Sequence, residues 1–429
     1  MRYLIKNGHV IDPANKIDGT LDILISGGKI ERLARSISDK CDETIDAKGK
    51  IVAPGLIDMH VHLREPGRED EETVRTGTRA AIRGGFTAIL SMPNTEPAMD
   101  SQKTMVGLKD KIKKEAMAAV FIAGAVTEAR AGKKLSDIRG MKKEGIIAIS
   151  DDGSSVEDEG LMLEALKIAK DEGLLFIDHC EYSPLSARGV MNKGFMSTKM
   201  GLRGIPREAE YKKVEADIKL ARKASAGIHI AHVSCKETID IIRKAKKDGV
   251  RVTCEVTPHH FALTDECSAT YDTNTKMNPP LRTGEDVAAV KQGLADGTID
   301  AIATDHAPHT DSEKDVEFDC APFGVIGLET SLSLAVAELV DKKILGWAEL
   351  ISRMSVNPAK VLKIEGGNLK IGSPADIVII DPAKEYVYKR DMVESKSRNS
   401  PFLDWQLKAR VSWVFVGGKP VMKDEVIIK

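Results

Sequence analysis

Aromatic side chains are scarce in this chain of 429 residues, and its charges nearly balance. Aromatics make up 4% of the residues, which disfavours a surface that stacks nucleic-acid bases. A formal net charge of -2 provides no bulk attraction to nucleic acid or to a membrane surface. The chain also lacks an apolar run of about 18 residues, so we expect no transmembrane helix. A small-molecule substrate is the expected partner.

The sequence contains no C-x-x-C pair among its six cysteines, which are Cys41, Cys180, Cys235, Cys254, Cys267 and Cys320. Cysteines scattered in this way are typical of reduced thiols rather than of a disulfide framework. The opening segment, MRYLIKNG, becomes polar too early for a signal peptide. Both observations predict a cytoplasmic protein.

Hydrophobic residues make up 42% of the chain and charged residues 30%, as in a globular protein with ample core. Short alternating runs precede Asn7-Gly8 and Gly27-Gly28, and similar runs at 375–380 and 411–416 approach the other end. Such runs and turn residues predict strands and hairpins. We expect one small β-sandwich domain built from residues 1–52 and 361–429, with separate terminal hairpins as the alternative.

The middle of the chain alternates between apolar runs and stretches of helical length. Apolar runs lie at 51–57, 86–92, 119–126, 145–150, 174–177, 227–233, 251–256 and 299–304. Stretches with helical character include 104–115, 157–172, 208–224 and 237–247. This alternation predicts a (β/α)8 barrel over residues 53–360. An open doubly wound sheet is less favoured, because no G-x-G-x-x-G follows the first strand.

Catalytic residues of such barrels lie at the carboxyl ends of the strands. His60 and His62 close the first apolar run, and their spacing puts both side chains on one face of a strand. Alone, the pair could equally be core histidines. However, all other histidines except His9 and His229 also lie at or just after the ends of predicted strands. The further polar residues at strand ends are Arg64, Asn94, Asp151, Asp152, Asp178, His179, His232, His259, His260, Asp305, His306 and His309.

Neutral imidazoles and carboxylates are suitable ligands for zinc and similar divalent ions. The predicted cluster has enough of both for two metals with a carboxylate between them. Metal binding lowers the pKa of water to about 7, and a nearby carboxylate can pass the proton to a leaving nitrogen. The cluster therefore predicts metal-assisted hydrolysis of an amide-like bond, or its reverse. Asp151 and Asp152 are adjacent, and both remain candidates for the shared ligand.

Two motifs, DMHVHLREPG at 58–67 and ATDHAPH at 303–309, resemble the signatures of the dihydroorotases, which belong to the amidohydrolase superfamily. SMPNT at 91–95, SDDG at 150–153, NPPLR at 278–282 and PFGVIGLE at 322–329 match the same family. The resemblance extends over essentially the whole chain, to SPAD at 373–376. H-x-H by itself marks only the superfamily, whereas the two longer motifs are much more specific.

The resemblance implies a zinc-dependent enzyme that holds two ions per subunit. It implies that His60, His62 and Asp305 bind the first metal, that His179 and His232 bind the second, and that Asp152 bridges them. Asp305 would also be the catalytic acid and base. The implied substrate contacts are His62, Arg64, Asn94, Asn278, His309, Phe323 and Gly324. The implied reaction is the reversible cyclisation of N-carbamoyl-L-aspartate to dihydroorotate in pyrimidine synthesis.

Each substrate contact also has a simpler interpretation. Arg64 can bind a carboxylate bidentately, but it could instead form a structural salt bridge. Asn94 and Asn278 each stand next to a proline and could stabilise turns. We expect His259 and His260 to be supporting or packing residues and Asp178 to be structural. The polar segment 310–322 is either a mobile loop that closes over the site or an ordinary solvated loop.

Three other readings compete with this one. A hydantoinase or allantoinase would generally have a lysine as bridging ligand, whereas position 152 holds aspartate. An inactive scaffold relative should lack ligands, and none is missing from the motifs. The third is an active enzyme that needs a partner, because some similar dihydroorotases associate with aspartate carbamoyltransferase. A homo-oligomer is the expected assembly.

Overall fold

A sheet of eight parallel strands forms the centre of the computed structural model, which describes residues 1–428. The strands pair in chain order and are Leu56–Val61, Phe86–Ser91, Ala119–Gly124, Ala148–Ile149, Leu175–Asp178, Ile228–Ile230, Val252–Val256 and Ala301–Ile302. The last and first strands meet where His62 N donates to His306 O at 2.9 Å. Thr304 N also donates to Asp58 Oδ1 at 3.1 Å. The sheet is therefore a nearly closed barrel, and the predicted (β/α)8 fold is confirmed.

Helices surround the barrel at Val74–Gly84, Gln102–Glu115, Ile138–Lys143, Glu159–Asp171, Glu208–Ala224, Lys236–Lys247 and Gly284–Ala295. After the eighth strand come Ser331–Ala335, Trp347–Ile351 and Asn357–Leu362, with π-helical turns at Val336–Val340 and Ser352–Val356. Ile239, Ile242 and Ala245 are buried on one face of Lys236–Lys247, as the sequence pattern predicted. Shorter helices are Ser183–Ser186, Phe195–Met200, Pro258–Ala262 and Asp311–Lys314. Two short strands, Met191–Asn192 and Gly204–Ile205, pair with each other.

Two apolar layers hold the barrel together. The interior is filled mostly by small or slender side chains, including Ala88, Ala123, Ala148, Ala231, Ala301, Ala303, Ile57, Met59 and Leu90. A larger cluster lies between the strands and the surrounding helices. The interior is thus a packed core.

Both chain termini contribute to a second sheet of nine strands. Its strands are Arg2–Asp12, Ile17–Ser26, Lys29–Ala34, Glu43–Asp46, Ile51–Pro54, Ile377–Val387, Gln406–Val416, Lys419–Lys423 and Val426–Ile427. Ile51–Pro54 pairs antiparallel with Ile377–Val387 and so joins the two halves. The sheet curls around its own core, where the rings of Tyr3 and Phe415 lie 5.4 Å apart. The predicted β-sandwich from both termini is therefore confirmed, and it consists of one continuous sheet.

The predicted turn at Asn7-Gly8 is wrong, because both residues lie within the strand Arg2–Asp12. The pairing register with Ile17–Ser26 shifts between Ile5 and Gly8, and Asn7 has a φ of 61°. Asn7 N donates to Asp22 Oδ1 at 3.0 Å, which compensates for the interrupted ladder. The Asn-Gly pair therefore forms a β-bulge, in which a left-handed residue is also favourable.

The apolar run 51–57 is divided between the two sheets. Ile51–Pro54 belongs to the terminal sheet and Leu56–Val61 to the barrel, with Gly55 between them. A Cβ atom on Gly55 would lie 2.1 Å from Thr87 Oγ1, so a larger residue would collide with the second barrel strand. Within residues 1–428, no helix is both long enough and apolar enough to cross a membrane.

Candidate active site

A cavity of about 210 Å³ opens at the carboxyl-terminal end of the barrel. All the residues predicted to touch substrate line it, namely His62, Arg64, Asn94, Asn278, His309, Phe323 and Gly324. The predicted metal ligands Asp152, His179, His232 and Asp305 line the same cavity. His60 is fully buried beside them. The fold thus brings every predicted site residue to one end of the barrel.

His60, His62 and Asp305 form the first cluster of possible metal ligands. His62 Nε2 lies 2.9 Å from Asp305 Oδ1, and His60 Nε2 lies 3.6 Å from the same oxygen. His60 lies in the first strand, His62 follows it directly, and Asp305 follows the eighth strand. The nearly closed barrel places these strand ends side by side.

Asp152 lies between this cluster and a second pair of histidines. Its Oδ1 is 3.1 Å from His60 Nε2 and 3.6 Å from His232 Nε2, and its Oδ2 is 3.4 Å from His62 Nε2. His179 Nδ1 is 3.9 Å from Oδ1 and 2.9 Å from His232 Nε2. One carboxylate therefore faces four imidazoles, which is the position of a shared ligand.

Asp151 points away from the histidines. Its Oδ1 accepts hydrogen bonds from Val126 N at 2.8 Å and Thr127 N at 3.1 Å, and its Oδ2 accepts one from the Thr127 hydroxyl. Asp151 therefore supports the loop after the third strand. Of the two adjacent candidates, only Asp152 has the geometry of a metal ligand.

The site favours ionised carboxylates, and its histidines fall into two groups. Burial alone would raise the pKa of Asp152, but His60 and His232 hold it well below its usual value. The pKa of Asp305 is likewise lowered, because His62 and His60 outweigh the effect of burial. Burial lowers the pKa values of His62 and His179. Burial also opposes the charged forms of His60 and His232, but Asp152 raises the pKa values of both, that of His60 well above its usual value. The carboxylates are thus ready to bind a cation, and a bound metal would displace the protons of these two imidazoles.

Two buried polar atoms at the centre of the site test whether a cation fits there. His60 Nε2 and Asp152 Oδ1 are 3.1 Å apart and have no hydrogen-bond partner among residues 1–428. An unsatisfied buried polar group costs about 1–3 kcal/mol. A divalent ion such as zinc would satisfy both atoms, and the imidazole and carboxylate donors match its preference. The residues therefore fit the metal that the motifs imply.

Three residues of the site adopt positive φ values, which are uncommon outside glycine. The φ angles are 58° for Arg64, 32° for His232 and 48° for Asp305. Such conformations cost of order 1–3 kcal/mol each and persist only where the surroundings enforce them. All three lie at strand ends, so the backbone there accepts a cost in folding stability and directs these side chains into the site.

Comparison with known proteins agrees with the motifs and the geometry. Residues 49–238 match the family model described as "Dihydro-orotase-like". The dihydroorotase of Elusimicrobium minutum is 54% identical over 98% of this chain and 97% of its own length. The chain belongs to the dihydroorotase family. The resemblance inferred from sequence is thereby confirmed, and the chain is a hydrolase of the amidohydrolase superfamily.

A second relative supports the same assignment, and a solved structure has the same fold. The dihydroorotase of Geotalea daltonii is 50% identical over 99% of this chain and 100% of its own length. The L-hydantoinase of Arthrobacter aurescens superimposes with a TM-score of 0.90, covering 100% of this chain and 97% of its own. Its sequence identity is 23%, so this likeness concerns the fold alone.

Asn94 and Asn278, the amide side chains predicted to touch substrate, each contact a histidine of the site. Asn94 Oδ1 lies 2.6 Å from His62 Nδ1, and Asn278 Nδ2 lies 3.3 Å from His179 Nε2. A proton on His62 Nδ1 would donate to Asn94 and leave Nε2 free for a metal. These amides therefore face the site rather than only stabilising their own turns.

Arg64 forms a structural salt bridge and also lines the cavity, so both interpretations of this residue apply. Its Nε lies 3.0 Å from Glu71 Oε2 and donates to Pro308 O at 3.2 Å, so the salt bridge exists. Its guanidinium also lines the cavity, with Nη2 3.3 Å from His309 Nε2. Nearby, a Cβ on Gly324 would lie 2.7 Å from Ala307 Cβ, so glycine allows the backbone to approach the site.

His260 and Asp178 have the supporting roles expected from sequence. His260 Nδ1 lies 2.7 Å from Thr257 Oγ1, and Nε2 lies 2.9 Å from Pro279 O. Burial lowers the pKa of His260 to about 4. Asp178 Oδ2 accepts from Lys213 Nζ at 3.2 Å. His259 is buried and has no assigned role.

The segment 310–322 is mostly exposed, but the buried side chains of Lys314, Phe318 and Ala321 anchor it. Lys314 is buried, and its Nζ donates to Pro322 O at 2.8 Å and Thr273 O at 3.1 Å. Burial lowers the pKa of Lys314 to about 7. The segment thus holds the Phe323–Gly324 backbone in place at the cavity. A closing movement of this segment stays a prediction.

Sequence reasoning missed Asn399 and Glu255, which both support the site. Asn399 Nδ2 donates to Ala307 O at 3.0 Å and to Gly324 O at 3.1 Å, and its Oδ1 accepts from His309 N at 3.1 Å. This asparagine comes from the distant C-terminal part of the chain, and no local pattern marks it. Glu255 is the other, and it was detectable as an acid within the apolar run 251–256.

Glu255 fixes the orientation of His60. Its Oε1 lies 2.7 Å from His60 Nδ1, and its Oε2 lies 3.2 Å from His229 Nε2. Burial would raise the pKa of Glu255, but the two histidines lower it to about 2. An ionised Glu255 keeps the proton of His60 on Nδ1 and leaves Nε2 free for a metal.

Glu255→Gln is expected to weaken zinc binding by about 10–100-fold, because partners behind metal-bound histidines have effects of this size. Competition with a chromophoric chelator measures the affinity directly. Glu266→Gln, at an exposed position, is the matched control and should bind zinc normally. Equal affinities of the two variants would contradict the orienting role of Glu255.

Proposed function

We propose that this chain catalyses the reversible cyclisation of N-carbamoyl-L-aspartate to (S)-dihydroorotate and water, with two zinc ions bound at the barrel mouth. The observation that carries the proposal is the position of Asp152, whose carboxylate lies 3.1–3.9 Å from nitrogens of four histidines. This reaction belongs to the synthesis of pyrimidines. Membership of the dihydroorotase family supports the same conclusion.

The ligands are divided into two sets around one shared carboxylate. His60, His62 and Asp305 would hold one ion, His179 and His232 the other, and Asp152 both. Bound zinc supplies a Lewis acid and lowers the pKa of water to about 7. The lowered pKa values of Asp152 and Asp305 support this division, because both side chains are ready to bind without losing a proton.

Asp305 moves the proton in the proposed mechanism. Its ionised carboxylate accepts a proton from the attacking water during ring opening. The same proton then passes to the ring nitrogen as the amide C–N bond breaks. In cyclisation, Asp305 takes the proton from the attacking ureido nitrogen and delivers it to the departing hydroxide. His62, 2.9 Å away, keeps the carboxylate oriented.

Arg64, Asn94 and His309 bind the carboxylate that does not react. A guanidinium can donate two parallel hydrogen bonds to a carboxylate, and the Nε of Arg64 is already engaged by Glu71 and Pro308. Its terminal nitrogens therefore remain for the substrate. Asn278 and the backbone at Phe323 and Gly324 line the remaining wall of the cavity and would bind the ring amides.

A substrate panel distinguishes this function from that of the hydantoinases, which share the fold. We expect turnover of dihydroorotate and N-carbamoyl-L-aspartate, with kcat/KM for hydantoin and allantoin lower by about 100-fold or more. Two charge-assisted hydrogen bonds of roughly 1.5–3 kcal/mol each account for this preference, since only the first two substrates carry the carboxylate. Rates and zinc content should be measured on the same preparation. Turnover of hydantoin without turnover of dihydroorotate would refute the substrate assignment.

We extend the proposal to the organisation of the protein. Residues 53–360 would be the catalytic domain, with 1–52 and 361–429 forming the accessory domain. The chain would act in the cytoplasm as a homo-oligomer. Association with aspartate carbamoyltransferase, which some similar dihydroorotases show, would bring this site next to an enzyme that makes its substrate.

A further inference from the structure

Glu71 is a buried carboxylate that contacts two of the residues assigned to the substrate carboxylate. Its Oε2 lies 3.0 Å from Arg64 Nε, and its Oε1 lies 2.8 Å from His309 Nδ1. The side chain of Glu71 is 1% exposed. It lies just before the helix Val74–Gly84, whereas His309 follows the eighth strand. One side chain therefore connects the two ends of the predicted carboxylate site.

Glu71 is itself held firmly. Ser397 Oγ donates to Glu71 O at 2.6 Å, and Glu71 N donates to Arg68 O at 3.0 Å. Arg68 Nη2 lies 3.3 Å from Glu71 Oε1 and 2.6 Å from Glu313 Oε1. Arg64 and Arg68 balance the charges of Glu71 and Glu313. The cluster of Glu71, His309 and Glu313 is therefore an ion-pair network rather than a cation site.

The contacts of Glu71 determine which atoms of its partners face the cavity. With its Nε turned to Glu71, Arg64 can present only its terminal nitrogens to a ligand. With Nδ1 turned to Glu71, His309 directs Nε2 towards Phe323 O, 2.9 Å away, and Arg64 Nη2, 3.3 Å away. A carboxylate has enough acceptor sites to serve both partners, whereas a carboxamide has one oxygen and a donating NH2 group.

We propose that Glu71 is a positioning residue that aligns Arg64 and His309 for the substrate carboxylate, and that it thereby sets the preference for carboxylate-bearing cyclic amides. The inference rests on the proposed function, in which Arg64 and His309 bind that carboxylate. Glu71 does not touch the metal cluster or the reacting amide. Its loss should therefore weaken substrate binding more than it slows the chemical step.

The test compares Glu71→Gln with Glu72→Gln, an identical change at the adjacent buried position. Glu72 Oε2 contacts His306 Nε2 at 3.1 Å, and Lys396 N donates to Glu72 Oε1 at 3.1 Å. Glu72 therefore connects the segments around His306 and Lys396 without contacting Arg64 or His309. For Glu71→Gln we expect KM for dihydroorotate to rise by about 10–100-fold, since one charge-assisted contact is worth roughly 1.5–3 kcal/mol. Its kcat and zinc content should change by less than about threefold. Glu72→Gln should lower the melting temperature and leave KM within about threefold of the wild type.

Each outcome has a separate meaning. An unchanged KM in Glu71→Gln, or an equal rise of KM in Glu72→Gln, would overturn the inference. Absence of dihydroorotate turnover in the wild-type protein would instead refute the proposed function. If Glu71→Gln does not fold, Glu71→Asp provides the same comparison, because it keeps the charge but shortens the side chain. A KM for Glu71→Asp equal to that of the wild type would also refute the positioning role.

Discussion

Replacing Asp305 by asparagine is expected to lower kcat by about 10²–10⁴-fold in both directions, the usual contribution of a general acid–base group. Asparagine retains the size of the side chain and one oxygen that can bind metal, but it cannot carry the proton between water and the ring nitrogen. The loss should appear in kcat with little change in KM, because Asp305 acts on the reacting bond rather than on the substrate carboxylate. Initial rates of ring opening and of cyclisation measure the effect.

Asp315→Asn is the matched control for this experiment. Asp315 lies ten residues further along the chain at an exposed position, so its replacement should leave both rates unchanged. Zinc content must be determined for both variants, since Asp305 is also assigned as a metal ligand. An Asp305→Asn variant with near wild-type kcat and normal zinc content would disprove the proton-transfer role.

The second large effect concerns the adjacent residues Asp151 and Asp152. Asp152→Asn is expected to lower the bound zinc from about two ions per chain to one or fewer, and to reduce kcat/KM by about 10³-fold or more, since metal ions contribute several kcal/mol to transition-state stabilisation. The physical reason is that Asp152 alone faces both groups of histidines. Elemental analysis after gel filtration, together with initial rates, provides the measurement.

Asp151→Asn should behave in the opposite way. Its carboxylate satisfies Val126 N and Thr127 N, so its replacement should reduce the free energy of unfolding by about 1–3 kcal/mol while zinc content stays normal. Chemical denaturation of the zinc-loaded proteins measures this difference. If Asp151→Asn lost zinc and Asp152→Asn kept it, the proposed assignment of the shared ligand would be reversed.

The sequence by itself determined the barrel, the terminal sheet and most of the candidate site. Apolar runs and helical stretches are local patterns, and in a (β/α)8 barrel the carboxyl ends of all strands meet at one face. His60, His62, His179, His232 and Asp305 could therefore be assembled from their positions at the ends of four strands. The same rule brought Arg64 and His309 to the cavity. Gly27-Gly28 and Gly417-Gly418 form turns because local backbone requirements decide tight hairpins.

Only the tertiary structure decided which partner each side chain meets. Asp151 and Asp152 have the same local chemistry, and they differ because one points to the loop after the third strand and the other to the cavity. Asn399 comes close to His309 only when the C-terminal part of the chain packs across the barrel mouth. Glu71 likewise contacts His309 from a segment more than two hundred residues away.

The Asn7-Gly8 pair shows the same limit for the backbone. An Asn-Gly pair favours a left-handed conformation, which Asn7 adopts, but pairing with neighbouring strands used it for a bulge rather than for the predicted turn. Local sequence thus determined which groups reach the end of the barrel and which backbone conformations are favourable. Long-range packing decided their contacts, because hydrogen bonds and ion pairs depend on distances of a few ångströms between segments that are remote in sequence.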